Sequence, residues 1–233
     1  MTRSCCLFAA STAIALATAG VAHAQVVLAD TQADFSTTNG QGYRGFQYGV
    51  YTAPDVTSGT FSTQNFVPAG TAPNDYWYGG DSFNTPALWA VGQHPAFSTL
   101  FPAVRRYTLA MNGEPNYSGL VRIQGSFFDL DPGGDTSGFV TVNGVNVFNA
   151  PVPNGGPPGP PVPFDLLVAV TPGSTIDFGV TANGSAPGDS TGITATITTA
   201  VPEPCSLILT AIGGLAAAFG RHGRWQLQRW LLA

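Results

Sequence analysis

Residues 138–148 read GFVTVNGVNVF, an Asn-Gly pair (Asn143-Gly144) between two valine-rich arms. Both residue types tolerate the positive φ that a type I′ turn needs at its two central positions, so the pair predicts a tight β-hairpin. The rest of the body follows the same rule. In GLVRIQGSFF, Val121, Ile123 and Phe127 alternate with Arg122, Gln124 and Ser126. FDLLVAV sets Phe164, Leu166, Val168 and Val170 on one face; STIDFGV does so with Ile176, Phe178 and Val180, and TGITATITT with Ile193, Ala195 and Ile197. FQYGVY and VRRYTLAM supply earlier strands. No helical period persists, and 29 glycines and 19 prolines keep the alternating runs short. Eight or nine strands with one buried face each predict an all-β fold, an antiparallel β-sandwich. The segment PVPNGGPPGPPVP, Pro151 to Pro163, reads as a polyproline-like loop that cannot pair in a sheet, because proline lacks the N–H donor.

The ends differ from the body. MTRSCCLFAASTAIALATAGVAHAQ carries Arg3, an apolar run from about Leu7 to Ala19 and the small-x-small triplet Ala22-His23-Ala24. It reads as a secretory signal peptide, residues 1–24, cut before Gln25. The three cysteines, Cys5, Cys6 and Cys205, all lie outside residues 25–200, so an exported body must be held by its own core and not by disulfides. About 175 residues suffice for one such domain. Its cations are Arg44, Arg105, Arg106 and Arg122 against a dozen carboxylates, and the chain has no lysine. With no basic stripe to neutralise phosphates, nucleic-acid binding is not expected.

The body also resembles a family. AVRRYTLAMNGEPNYSGLVRIQGSFFDLDPGGDTSGFVTVNGVNVFNA, followed by VTPGSTIDFGVTANGSAPGDSTGITATIT, is similar to a domain common in exported bacterial proteins. That domain has an Arg-aromatic strand, a strand ending in an Asp-rich turn, a Val-Asn-Gly hairpin, and a closing Asp-Ser-Thr-Gly strand. The opening NGQGYRGFQYGVY resembles its start, so the match covers most of the body. The resemblance implies a jelly-roll sandwich akin to carbohydrate-binding modules, attached to secreted enzymes or standing alone, without implying one ligand.

Two stretches carry candidate chemistry. In FFDLDPGGDT, Asp129, Asp131 and Asp135 cluster at a strand end, with Gly133 and Gly134 allowing a sharp turn. Hard oxygen ligands on a tight loop suit a structural Ca²⁺, with Asp189 of GDST joining if the sheet order brings it close. The stretch is no EF-hand, since Gly133 and Val140 stand where two ligands of that pattern belong. A solvated turn is the alternative, because Asp and Gly favour turns on their own account. In PNDYWYGGDSF, Tyr76, Trp77 and Tyr78, with Phe83, offer flat faces for sugar rings, and Asn74, Asp75 and Asp81 offer hydroxyl partners. Core packing is the alternative there, since aromatics are the largest apolar groups a core can use. In GYRGFQYGVY the alternation of Phe46, Tyr48 and Val50 reads as an ordinary core strand. His94 is the only histidine of the body, placed in a loop by the proline that follows. It has no serine elbow to complete a triad, and no strand repeats the acids of a jelly-roll glucanase. An enzyme is not expected.

Residues 201–233 are a third segment. Val201-Pro202-Glu203-Pro204, the apolar run Cys205 to Phe219, and the basic stop Arg221, His222 and Arg224 resemble the PEP-CTERM sorting signal. The resemblance implies recognition and cleavage by an integral-membrane exosortase, then release to the surface of bacteria that make exopolysaccharide. A helix of about 15 residues reaches roughly 23 Å, short of a 30 Å hydrocarbon core, which suits a transient transmembrane hold on the inner membrane. The arginines stay cytoplasmic and leave the body outside. The tail WQLQRWLLA is an addition to the family pattern, and its Trp225 and Trp230 suit a membrane interface. The chain thus reads as an exported, non-enzymatic cell-surface or matrix protein that binds glycan. A purely structural matrix component and a glycoside-active hydrolase are the other two readings.

Overall fold

A computed structural model describes residues 25–53, 59–71, 74–80, 86–96, 101–113, 115–184 and 187–200. The signal peptide, the sorting segment, Asp81, Phe83 and Glu114 lie outside the described residues. Within Val26–Ala200, which clusters as one unit, the strands are β1 (Val27–Asp30), β2 (Phe46–Tyr51), β3 (Phe61–Ser62), β4 (Val67–Ala69), β5 (Tyr76–Tyr78), β6 (Ala87–Trp89), β7 (Gly92–His94), β8 (Ala103–Thr108), β9 (Gly119–Asp129), β10 (Thr136–Val142), β11 (Val145–Val152), β12 (Val162–Val170), β13 (Thr175–Ala182) and β14 (Thr191–Thr199). Fourteen strands exceed the eight or nine expected. The difference is β3 to β7, each two or three residues long and too short for an alternation to register.

One sheet has eight strands in the order β12-β9-β14-β7-β6-β5-β4, with β1 also on β14, and the other has six in the order β11-β10-β13-β8-β2-β3. Every pairing is antiparallel. Side by side, β1, β14, β9 and β12 lie in one sheet while β8, β13, β10 and β11 lie in the other, which is the strand order of a jelly roll. The predicted hairpin joins β10 to β11, and its turn residues Asn143 and Gly144 have φ of 51° and 79°. The inward positions of β9, β13 and β14 are the ones the alternation marks. Val121, Ile123, Phe127, Phe178, Val180 and Ile193 are all fully buried, each stabilising by roughly 1.5–3 kcal/mol. Rings bridge the sheets: Tyr48 of β2 stacks on Trp77 of β5 at 5.7 Å, and Phe127 of β9 on Phe148 of β11 at 6.3 Å.

The proline-rich segment corrects one expectation. Pro151 pairs with Ser137 and Pro163 with Ser126, so both ends of the supposed loop are strand. The physical reason is position. β11 and β12 are edge strands, where a missing donor faces away from the sheet. Residues 153–161 make the connection between them.

Two charged groups fix the framework. Arg105 points inward from β8 and is fully buried. Its guanidinium donates to the carbonyls of Thr31 (2.7 Å), Trp89 (2.7 Å), Gly92 (3.0 Å) and Ala90 (3.3 Å) and to Gln93 Oε1 (3.3 Å). Burial lowers its pKa to about 10, so it stays charged at neutral pH while pinning the β6–β7 turn to the opposite sheet. Its neighbour Arg106 points outward and donates twice to Asp177, at 2.7 and 2.8 Å. There Tyr51, Val104 and Phe139 form a second small core on the outer face of the six-stranded sheet, with Phe61 against it.

Candidate functional site

The outer face of the eight-stranded sheet carries a row of aromatic side chains set by register. Phe128 on β9 pairs with Gly192 on β14, Gly192 with Gly92 on β7, Gly92 with Trp89 on β6, Trp89 with Tyr76 on β5, and Tyr76 with Ala69 on β4. Paired residues share a face, so these six positions form one line across six strands. At about 4.8 Å per strand the line runs roughly 24 Å, about the length of four or five linked hexoses. Phe128, Trp89 and Tyr76 are each half-buried.

The two glycines at the centre explain how the rings lie. A Cβ on Gly192 would overlap the ring of Phe128. A Cβ on Gly92 would lie 2.7 Å from Leu130 Cδ1 and 2.9 Å from Trp89 Cζ2. Phe128, Leu130 and Trp89 thus lean over the bare backbone of the glycine pair and form a low platform. Tyr78 flanks it, edge-on to Tyr76 at 6.0 Å.

Tyr76, Trp77 and Tyr78, offered together as faces for sugar rings, form β5, and strand alternation separates them. Trp77 faces inward, is 3% exposed, stacks on Tyr48 and donates its indole N–H to the Ser36 carbonyl at 2.9 Å. Its faces are therefore used by the core and are closed to a sugar. Tyr76 and Tyr78 face outward and stay half-exposed. The carboxylate of Asp75 accepts a short hydrogen bond from the Thr37 hydroxyl. Phe46 and Tyr48 are core residues, as their alternation suggests.

Beside the platform, on the same face, lies a shallow groove of about 340 Å³ lined by Asp30, Gln32, Gln124, Gly125, Thr194, Ala195 and Thr196. Its side chains are amides, hydroxyls and a carboxylate. Gln32 donates to the Ile193 carbonyl (3.1 Å), and Gln124 to Asp165 (3.1 Å), itself paired with Arg122 at 2.6 Å. The groove and the platform escaped sequence reasoning because both are products of register. The sequence signal for them is the glycine at an outward position of each of two strands, Gly92 and Gly192, where alternation would otherwise put a side chain.

The four aspartates offered as calcium ligands sit at one rim of the sandwich, where three connections meet. Asp129 ends β9, and its Oδ1 accepts from the Asp131 N–H (3.2 Å) and its Oδ2 from the Gly155 N–H (3.3 Å). Asp131 accepts from the Ser190 N–H at 3.2 Å. Gly133 donates to Asn154 Oδ1 at 3.3 Å, and the Asn183 N–H donates to the Asp135 carbonyl at 2.8 Å. The β9–β10 turn is thereby tied to the β11–β12 and β13–β14 connections. Asp189 is 1% exposed, and neither carboxylate oxygen has a hydrogen-bond partner among the described residues. Burial, with Asp135, Asp131 and Asp129 nearby, pushes its pKa up to about 7. As they stand, no three His, Cys, Asp or Glu side chains among the described residues are gathered closely enough to hold a metal ion.

His94, expected in a loop, ends β7 and is buried, with Nδ1 2.6 Å from the Pro95 carbonyl oxygen. Among the described residues no helix is long and apolar enough to cross a membrane.

No family model matches the chain, and no curated protein matches it. Solved structures do show local likeness. A family 35 carbohydrate-binding module from Clostridium thermocellum matches at 13% identity over 64% of this chain and 97% of its own, with a TM-score of 0.29. The C-terminal family 6 module of a marine laminarinase from Zobellia galactanivorans matches at 13% identity over 58% of this chain and 90% of its own, TM-score 0.29. An exo-β-1,3-galactanase from Phanerochaete chrysosporium matches at 12% identity and TM-score 0.32; the match takes in 74% of this chain and 29% of the galactanase. Scores this low transfer neither fold nor function.

Proposed function

We propose that the chain is an exported, non-enzymatic β-sandwich that binds glycan on the outer face of its eight-stranded sheet and so joins the cell-surface or exopolysaccharide matrix. The observation that carries this reading is the line Phe128–Gly192–Gly92–Trp89–Tyr76. Half-exposed rings lined up on one face of a sheet match the apolar faces of sugar rings. The bare glycine backbones let Phe128 and Trp89 lie low, so that an extended chain can rest across them. The groove beside them offers the hydroxyl, amide and carboxylate partners that sugar hydroxyls need. Arg105 supports this from below, by holding the β6–β7 turn that carries Trp89.

A hydrolase would need two carboxylates flanking a cleft at a set separation. Along the groove the carboxylate of Asp30 already accepts from the N–H groups of Gln32 (2.8 Å) and Ala33 (2.9 Å), while Asp165 pairs with Arg122. The face is therefore read as a binding surface. Probing the secreted protein on a glycan array tests this, and binding to at least one linear polysaccharide without release of reducing sugar is expected. Reducing-sugar release would establish the hydrolase instead, and no binding to any glycan would leave the purely structural matrix role.

For location we propose the route its ends imply: export by the signal peptide, a transient hold on the inner membrane by residues 205–219, and cleavage by an exosortase near Val201–Pro204. Intact-mass measurement of the released protein is expected to give a chain from Gln25 to within Val201–Pro204. A full-length, membrane-bound species overturns the sorting route without touching the glycan reading.

A further inference from the structure

The unpartnered carboxylate of Asp189 lies where a cation is needed. Burying a carboxylate costs several kcal/mol unless hydrogen bonds or an opposite charge offset it. Asp189 has no partner for either oxygen among the described residues, and its charged neighbours Asp129, Asp131 and Asp135 are all anions. Nothing in the local backbone relieves this. Gly134 lies so close that a Cβ on it would overlap Asp189 Oδ1, and its own φ is +82°. Gly188, with φ +80°, packs against the same turn: a Cβ there would lie 2.8 Å from the Gly133 carbonyl oxygen and 3.4 Å from that of Pro132. The two glycine backbones interlock and bring carbonyl oxygens and carboxylates to one place. Around Asp189 the nearby backbone offers the carbonyl oxygen of Gly188, and the nearby charged side chains are all carboxylates.

We propose that this rim is a calcium site, in which Asp189 supplies the buried pair of oxygens and Asp131 and Asp135, on the turn, complete the carboxylate set. The inference is independent of the glycan reading. All-oxygen donors with several carboxylates suit Ca²⁺, which takes six to eight oxygen ligands in irregular geometry and accepts backbone carbonyls among them. Mg²⁺ demands a near-ideal octahedron and keeps its waters, so it fits this shallow rim less well. The side chains stand apart as they are, and closing the set needs rotation of Asp131 and Asp135, both on the turn between β9 and β10. The ion braces more than that turn. Held between Asp189, on the β13–β14 connection, and the β9–β10 turn, it ties these two together, and through the bonds of Asp129 to Gly155 and Gly133 to Asn154 it also fixes the proline-rich connection 153–161. Its role is structural.

The test uses the secreted protein stripped with a chelator, followed by calorimetric titration and thermal unfolding with CaCl₂ or MgCl₂. Extracellular calcium modules bind with dissociation constants of about 10⁻⁴–10⁻³ M, so titration to several millimolar reads the expected range. Calcium at roughly a hundred times the dissociation constant should raise the unfolding midpoint by roughly 5–10 °C, and magnesium by much less. Asp189→Asn keeps the shape and removes the charge. It is expected to abolish the calcium shift while leaving the calcium-free midpoint unchanged or higher. Asp135→Asn, on the exposed end of the turn, weakens calcium binding without touching the buried wall, and serves if the first variant does not fold. The site is overturned if the parent shows neither heat nor a midpoint shift, or if both variants keep the parent's calcium response.

Discussion

Asp177 and Asp189 are equally hidden, 0% and 1% exposed, and live under opposite conditions. Asp177 accepts two hydrogen bonds from Arg106, a short one from the Tyr51 hydroxyl and one from Thr141 at 3.2 Å. Its charge is balanced and its lone pairs are used. Asp189 has no partner among the described residues and three aspartates for neighbours. The first belongs to a finished network on the outside of the six-stranded sheet. The second belongs to a rim that lacks its countercharge. A buried charge is therefore informative only with its partners: the same burial marks a structural tie in one place and, in our proposal, a cation site in the other.

Four substitutions sharpen or break this contrast. The largest effect is expected at the buried cation. Arg105→Met leaves the carbonyls of Thr31, Trp89, Ala90 and Gly92 and Gln93 Oε1 without their donor, and should lower stability by about 3–5 kcal/mol in urea unfolding. Asp177→Asn strips the Arg106 guanidinium of its countercharge and should cost about 2–4 kcal/mol by the same measurement. Gly134→Ala combines a positive φ with overlap on Asp189 Oδ1 and should cost about 1–2 kcal/mol. Asp189→Asn comes last and breaks the pattern. In calcium-free buffer it should cost nothing measurable or raise the unfolding midpoint, because it removes repulsion and loses no partner. If Asp189→Asn costs as much as Asp177→Asn without calcium, the two carboxylates are alike and the contrast fails.

Legibility in the sequence followed strand length. β9, β12, β13 and β14 run eight to eleven residues, so their alternation states which side chains face inward, and Asn143-Gly144 fixes the β10–β11 turn by its own chemistry. β3 to β7 are two or three residues each, and alternation cannot be read over so short a span. That limit hid the platform. YWY shows three aromatics and not that the middle one faces Tyr48 and the core, and nothing in ALW marks Trp89 as facing outward. The aromatic line needs six strands in register, a property of pairing and not of any one segment. The proline rule failed at Pro151 and Pro163 because sequence does not say which strands are edges. The joining of Asp189 to the Asp129 turn was legible as a condition on sheet order, and the pairing of Thr191 with Asp129 supplies that order.

The glycan reading is tested most directly by comparing two tryptophans. On the polysaccharide that the parent binds best, Trp89→Ala should weaken the dissociation constant by about tenfold or more while the protein remains folded, since it removes one wall of the platform. Trp77→Ala should instead act through the core, lowering stability by about 3–5 kcal/mol. A Trp89→Ala protein that binds as tightly as the parent would show that the outer face of the eight-stranded sheet is not where glycan is held.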